Sequence, residues 1–290
     1  MKKPTLFAHI LIGVALLLPV AAIARPALWV VKDADTTIYL FGTMHLLPHD
    51  TAWHYPALDQ ALADSQTLYI ELTDDTPANM MPLVLRYGMD TSHPLPTLLD
   101  HAEQLRLNIA ANEAGVPGGM QTLSMMRPWM AALTLATAPL LKAGLDPEQG
   151  VDKQLKAQMT SAGKQVLGLE TAEQQIRFLA DMPQAAQLAF LRSTMRDVGK
   201  GPIELTQLID AWKDGDVATI ARLEDEDLRQ TEPKLHQLLL VQRNGIWARK
   251  IAAMLQQPGT VFIAVGAAHL AGPDSVQAQL LKLGIDAVRQ

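Results

Sequence analysis

The chain has no cysteine in its 290 residues. Disulfide scaffolds, thiolate nucleophiles and cysteine-held zinc are excluded, so any metal must be bound by His, Asp or Glu. Aromatic residues are sparse, at 5%, which weighs against a haem pocket. Basic residues are outnumbered, with 24 Lys and Arg against 30 Asp and Glu. That balance opposes nucleic-acid binding, which needs a basic surface. A His-Glu-x-x-His helix signature, a solenoid period and low-complexity tracts are also missing.

Only one apolar run is long, and it stands at the start. "MKK" gives a basic beginning, "LFAHILIGVALLLPVAA" an apolar stretch, and "AIA" at 22–24 the small residues at −3 and −1 that signal peptidase requires. The expectation is a signal peptide over residues 1–24, one domain over 25–290, and a periplasmic or secreted product with no stable membrane insertion after cleavage. A retained membrane anchor is the alternative reading. Without Lys2 and Lys3 the net charge of −6 becomes more negative still.

The remainder alternates strands with helices. "LWVVKDADTTIYLFG" reads as a hairpin over 28–41, with "DAD" as its turn. "TLYIEL" (67–72), "KQVLGLE" (164–170), "TVFIAVG" (260–266) and "IDAVR" (285–289) read as further strands. Their unbroken apolar character suits a sheet covered on both faces. From about 97 to 257 the pattern is mostly helical, with Pro near helix starts and Gly near ends. The predicted class is α/β: a mostly parallel central sheet flanked by helices, with a large helical insertion.

Two stretches share a construction. In "YLFGTMHLLP" and in "VFIAVGAAHL" an apolar run meets a glycine, and a histidine follows three residues later. His45 and His269 thus sit just past strand ends, as do Glu71 and Glu170, and ligands of α/β sheets gather beyond the carboxyl ends of strands. If these strands are parallel and adjacent, the four side chains converge. Imidazole plus carboxylate suits zinc, manganese, iron or cobalt. Glycine before each His would let the backbone turn and approach without a Cβ clash. "GPDSV" after His269 reads as a helix start with Pro273 in its first turn, whose partial positive charge would keep His269 neutral. Each residue also has a plain reading: a structural His, a solvated Glu71, a Glu170 that merely opens a helix. His49 and His54 read as loop residues, since Pro48 breaks any helical pairing with His45. Arg127, in "RPW", caps a helix or reaches a substrate oxygen. Arg243, in "RN", lies in an otherwise apolar helix and reads as buried and paired.

Paired "GTMHLLP" and "GAAHLAG", with "YIEL", "RPW", "GLETAEQ" and "RN" between them, resemble the TraB/PrgY/GumN family. The resemblance runs over about residues 28–290. It extends to the animal Tiki proteins, described as metal-dependent proteases that clip Wnt proteins, and in fold to ChaN-like haem-binding proteins and erythromycin esterases. It implies a parallel sheet with flanking helices. His45 and His269 would be metal ligands or catalytic residues with Glu71 beside them; Glu170, Arg127 and Arg243 match other family positions. The family often has an acid before "RN", where this chain has Gln242.

The expected function is a metal-dependent hydrolase, possibly a peptidase, acting on a peptide or a small ester or amide. His45, Glu71 and His269 would hold a divalent ion (Mn, Co, Zn or Fe). Glu71 or Glu170 would take the proton from water, and Arg127 or Arg243 would steady the oxyanion. A metal-free variant would activate water with the same His and Glu residues. The alternative is a non-catalytic binding protein for haem, a metal or a peptide signal. The leader reading has a direct check: protein recovered from the periplasm should have the intact mass of a chain beginning at Arg25, not one retaining residues 1–24.

Overall fold

The computed structural model describes residues 24–290, so the leader expectation lies outside the described residues. The predicted hairpin is present. Strand β1 (Leu28–Lys32) pairs antiparallel with β2 (Thr36–Thr43), Leu28 facing Phe41. Its turn is closed by Asp33, whose Oδ1 accepts hydrogen bonds from the amides of Asp35 and Thr36 at 3.2 and 2.9 Å, the local bonding that favours Asp in turns. Strands β3 (Thr67–Ile70), β4 (Gln165–Gly168), β5 (Gly259–Gly266) and β6 (Val288–Arg289) complete a six-stranded sheet in the order β4-β3-β5-β2-β1-β6. The pairs β4–β3, β3–β5 and β5–β2 are all parallel, and β6 is antiparallel to β1.

Helices cover both faces, which explains the unbroken apolar strands. Helices α1 (Pro56–Asp64), α2 (His101–Ala114), α3 (Pro128–Lys142), α4 (Val151–Ser161), α5 (Ala172–Ala180), α6 (Gln184–Asp197), α7 (Gly201–Asp214), α8 (Arg243–Met254) and α9 (Val276–Lys282) follow in chain order. Several ends follow from local chemistry. Asp100 and Glu103 form a reciprocal capping box on α2, which stops at Gly115 with φ 74°. Thr171 and Gln174 do the same on α5. No helix among the described residues is long and apolar enough to cross a membrane.

Successive strand residues point to opposite faces. Phe41, Phe262 and Ile70 join Leu58, Leu155 and Trp212 of α1, α4 and α7 in one core. Ile38, Leu40, Ile263 and Val265 join Trp247, Ile251 and Leu280 of α8 and α9 in another. The insertion has its own core, built on Leu107, Leu135 and Leu191 of α2, α3 and α6. Four aromatics cluster in the first of these cores: Phe41 lies 6.1 Å from Trp53, 6.3 Å from Trp212 and 6.0 Å from Phe262, centroid to centroid. Trp212 also donates its indole N–H to the carbonyl of Gly42 at 2.8 Å.

Gly42 is required for space. A Cβ there would stand 3.0 Å from Cα and 3.2 Å from Cβ of Ala267, and backbone cannot move aside as a flexible side chain can. Gly42→Ala should therefore lower unfolding free energy by about 1–3 kcal/mol through overpacking. Denaturant titration of the two proteins reads this; an unchanged midpoint would show that β2 and the chain after β5 have room to separate.

Candidate active site at the carboxyl ends of four parallel strands

Because β4, β3, β5 and β2 are adjacent and parallel, the residues after them converge as anticipated. Glu71 follows β3 directly, Glu170 lies two residues beyond β4, His45 two beyond β2, and His269 in a single 3-10 turn (Ala267–Leu270) after β5. Gly266 makes the convergence possible. A Cβ there would lie 3.2 Å from both Glu71 Oε1 and His45 Nε2, and 3.6 Å from His269 Cδ2. Neither glycine of the two Gly-x-x-His motifs has positive φ. Both are needed for the close approach that the sequence suggested, and neither supplies a left-handed turn.

The centre of the site is a buried guanidinium. Arg243, first residue of α8, is 6% exposed. Its Nε donates to both Glu170 oxygens at 3.0 and 3.1 Å, and its Nη2 donates to Glu170 Oε2 at 2.8 Å and Glu71 Oε2 at 2.6 Å. Its Nη1 donates to His269 Nε2 at 3.1 Å and to the Leu239 carbonyl at 3.4 Å. The cation also stacks on Trp247, 4.7 Å from the ring centre. All five N–H groups thus have acceptors, and none is left for an oxyanion in this arrangement.

Glu71 accepts from the Gly266 amide at 2.8 Å on Oε1 and from Gln175 Nε2 at 3.1 Å on Oε2. Burial favours its neutral form, but His269, Arg243, His45 and the Gly266 amide hold it well below the usual carboxylate range. Since His269 is itself neutral at pH 7, the guanidinium, the His45 charge and the Gly266 bond carry this effect. Glu170 moves the other way: burial raises it, with the charge of Glu71 adding to that and Arg243 opposing.

The two histidines are also driven apart. His269 is 5% exposed, and its Nδ1 lies 2.6 Å from Asn244 Oδ1. Asn244 Nδ2 donates to the Asp274 carbonyl at 2.8 Å, which fixes the amide orientation. The proton of His269 therefore sits on Nδ1, and Nε2 is an acceptor filled by Arg243. Burial lowers its pKa to about 3, with the Arg243 and His45 charges reinforcing and Glu71 opposing. The expected helix N-terminus plays no part: α9 starts at Val276, capped by Ser275, so Pro273 precedes it. His45 has a side chain 58% exposed, with Nδ1 3.0 Å from Asp152 Oδ1 and Nε2 3.7 Å from Glu71 Oε1. Crowding opposes its charge, but the Asp152 hydrogen bond and the charges of Glu71 and Asp152 outweigh this and raise it to about 9. Solvent screens these opposing effects, and the direction rests on the Asp152 bond.

A divalent ion does not fit the expected ligand set in this arrangement. The Nε2 lone pair of His269 accepts a hydrogen bond from Arg243 Nη1, a donor that cannot be deprotonated to free it. Glu71 Oε1 is 3.8 Å from that nitrogen, but no single choice of ligand atoms brings His45, Glu71 and His269 all within 4.8 Å of one another. A metal held by all three requires the guanidinium to turn away.

Two clefts flank His45. One, about 320 Å³, is lined by Thr43, His45, Arg243 and His269 with leucines including Leu205, Leu228 and Leu240. The other, about 220 Å³, holds Glu71, Asp152 and Gln175 beside His45. Glu224 also lines the first; the crowding of its carboxyl raises it, although its surface reaches solvent. Arg127 stands apart from this network. It occupies the N-cap position of α3 without a side-chain capping bond, and its Nε is buried with no hydrogen-bond partner. His49 faces Asp146 at 3.6 Å and His54 faces Asp59 at 2.6 Å, the loop placement expected of them. Sequence reading missed Asp152, Asn244 and Gln175. Asn244 adjoins Arg243 in "RN", but no local pattern marks Asp152, whose place depends on α4 reaching back to β2.

These shifts set a pH profile for stability. His269 binds protons more weakly folded than unfolded, from its usual 6.5 down to about 3, and so does Glu71 below its usual 4.5. Stability is therefore full above these values and falls as pH drops, by up to ~1.4 kcal/mol per pH unit for each group. His45 has the opposite sign and contributes stability that is lost as pH rises from 6.5 through about 9. Unfolding free energy measured against pH should peak near neutrality, and His269→Gln should flatten the acid side. An acid limb identical in parent and variant would show that His269 does not gain a proton on unfolding.

The family model described as the TraB/PrgY/gumN family matches residues 27–289. The protein YbaP of Escherichia coli (strain K12), itself uncharacterized, is 28% identical over 259 residues, covering 88% of this chain and 92% of its own. YbaP of Shigella flexneri matches to the same extent. No solved structure matches. The model spans the hairpin, both Gly-x-x-His strand ends and the Arg243 network that joins them: the chain belongs to the TraB/PrgY/gumN family.

Proposed function

We propose that the chain is a periplasmic or secreted hydrolase of peptides or small esters or amides, with His45 as its proton carrier. The observation supporting this is the His45–Asp152 pair. Asp152 accepts the Nδ1 proton at 3.0 Å and turns Nε2 toward Glu71, where two clefts meet. This is the orientation logic of a base held by a carboxylate. The leucine-rich cleft suits an apolar side chain or acyl group next to the scissile bond.

In this reading a water oxygen adds to the substrate carbonyl carbon while its proton passes to neutral His45 Nε2. The resulting imidazolium is stabilised by Asp152 and Glu71. As the carbonyl re-forms, the bond to the amine or alcohol breaks and His45 returns the proton to that leaving group. Arg243, fully engaged, holds Glu71 ionised and His269 neutral and does not bind the oxyanion. The free donor nearby is Thr43 Oγ1, buried without a hydrogen-bond partner and lining both clefts; it is the group assigned to the carbonyl oxygen. No step requires the metal. The binding-protein reading gives Asp152 no role in orienting His45.

With its pKa raised, His45 is mostly protonated at pH 7, so the base form and the rate grow with pH. We expect kcat/KM on peptide and ester libraries to rise along a limb with an apparent pKa above 6.5. Asp152→Asn should move that limb toward 6.5 and lower the maximum, and His45→Ala should reduce the rate by about 10²–10⁴-fold. A limb that Asp152→Asn leaves in place would remove His45 as the proton carrier. Peptide retention without turnover at any pH would favour the binding protein.

A further inference from the structure

A second group of ligand-type side chains lies where three segments meet, outside the cleft. Asp225 belongs to a π-helical stretch (Ala221–Glu226), His236 ends a short helix that runs into another π-helical stretch (Gln237–Gln242), and Asp274 lies in the loop before α9. Single π turns inside helices recur at functional sites because they redirect a side chain. Asp225 and His236 are 2% and 4% exposed, and Asp274 is half-buried. One ligand atom from each lies within 4.8 Å of the others.

Two further observations point to a ligand. Asp225 Oδ2 is buried with no hydrogen-bond partner, a placement that costs its full desolvation unless something binds it. The loop opposite is cut to fit that oxygen: a Cβ at Gly272, where φ is 79°, would stand 2.7 Å from it. Only glycine allows so close an approach in that left-handed conformation.

We propose that Asp225, His236 and Asp274 form a site for one divalent cation of the zinc class, separate from the catalytic cleft. One imidazole and two carboxylates are a donor set for zinc, with a coordination position left for water. His236 Nε2 and Asp225 Oδ1 are 2.7 Å apart and share a proton. That bond is no obstacle, because a neutral imidazole can carry its proton on Nδ1 and leave Nε2 free to ligate; the guanidinium on His269 has no such alternative. The cation would fasten the 272–274 loop to the helical insertion. Asp274 also receives Asn244 Nδ2 on its carbonyl, and Asn244 holds His269 Nδ1. The site is thereby a positioning device for His269, though its existence does not depend on the hydrolytic reading.

Zinc chloride titrated calorimetrically into chelator-treated full-length protein should give one ion per chain. Asp225→Asn and His236→Gln should weaken binding by about 100-fold or more, since even outer-shell changes cost 10–100-fold. His45→Ala should bind zinc like the parent. Circular dichroism shows which variants fold, and half-buried Asp274→Asn decides the matter if the buried variants do not. Absence of zinc binding, binding unaffected by Asp274→Asn, or binding lost with His45 would each overturn the proposal.

Discussion

One buried cation holds the site in register. Arg243 places its guanidinium among carboxylates that arrive from two neighbouring strands, and Glu71 and Glu170 would otherwise face each other out of water with like charge. Removing one partner from a buried pair of this kind costs about 3–5 kcal/mol, because the remaining charge stays desolvated. Glu170 beyond β4, Glu71 beyond β3 and His269 after β5 all bond that guanidinium, while α8 packs on the sheet through Trp247 and Ile251. The π-helical stretch immediately before Arg243 delivers it.

Around this cation, like residues are made unlike. Of two glutamates one is held ionised and the other is raised; of two histidines one is raised and the other kept neutral. Such separation assigns acid and base roles in enzymes generally. Here it traces to location. His45 is at the open end of β2 with Asp152 behind it, while His269 is sealed between Trp247, 4.5 Å from its ring, and Arg243. Two copies of one short motif thus give an accessible imidazole and a structural one.

Much of this was readable before any coordinates. Apolar runs ending in a glycine located β2 and β5, and His, Glu, Glu and His at four strand ends predicted convergence on the condition that those strands are parallel and adjacent. The sheet's order was not readable, since parallel neighbours are joined through long helical crossovers and nothing local names the partner strand. Asp152 was invisible for the same reason: its hydrogen bond spans β2 and α4, and its own surroundings, "GVDKQ", look like an ordinary helix start. Arg243 was expected to be buried and paired, but that all its donors are used depends on angles no spacing encodes. The glycines were read for two purposes, a turn and an approach without a Cβ clash, and the second is the one at work: the missing Cβ makes room for Ala267 at Gly42 and for Glu71, His45 and His269 at Gly266.

The two outermost strands of the sheet are short, four residues in β4 and two in β6. A sheet edge offers unpaired amides and carbonyls to any extended chain that meets it, and proteins blunt this hazard by keeping edges short. Here the eight-residue strands β2 and β5, which carry the longest apolar ladders, are interior. A chain with no cross-links to hold it closed thereby withholds its stickiest segments from neighbours, and β6 is pinned further by Arg289, whose Nη2 donates to the Gly215 carbonyl at 2.6 Å. Fraying at either margin would expose a few polar groups while β2 and β5, which carry the two Gly-x-x-His motifs, stay paired on both sides.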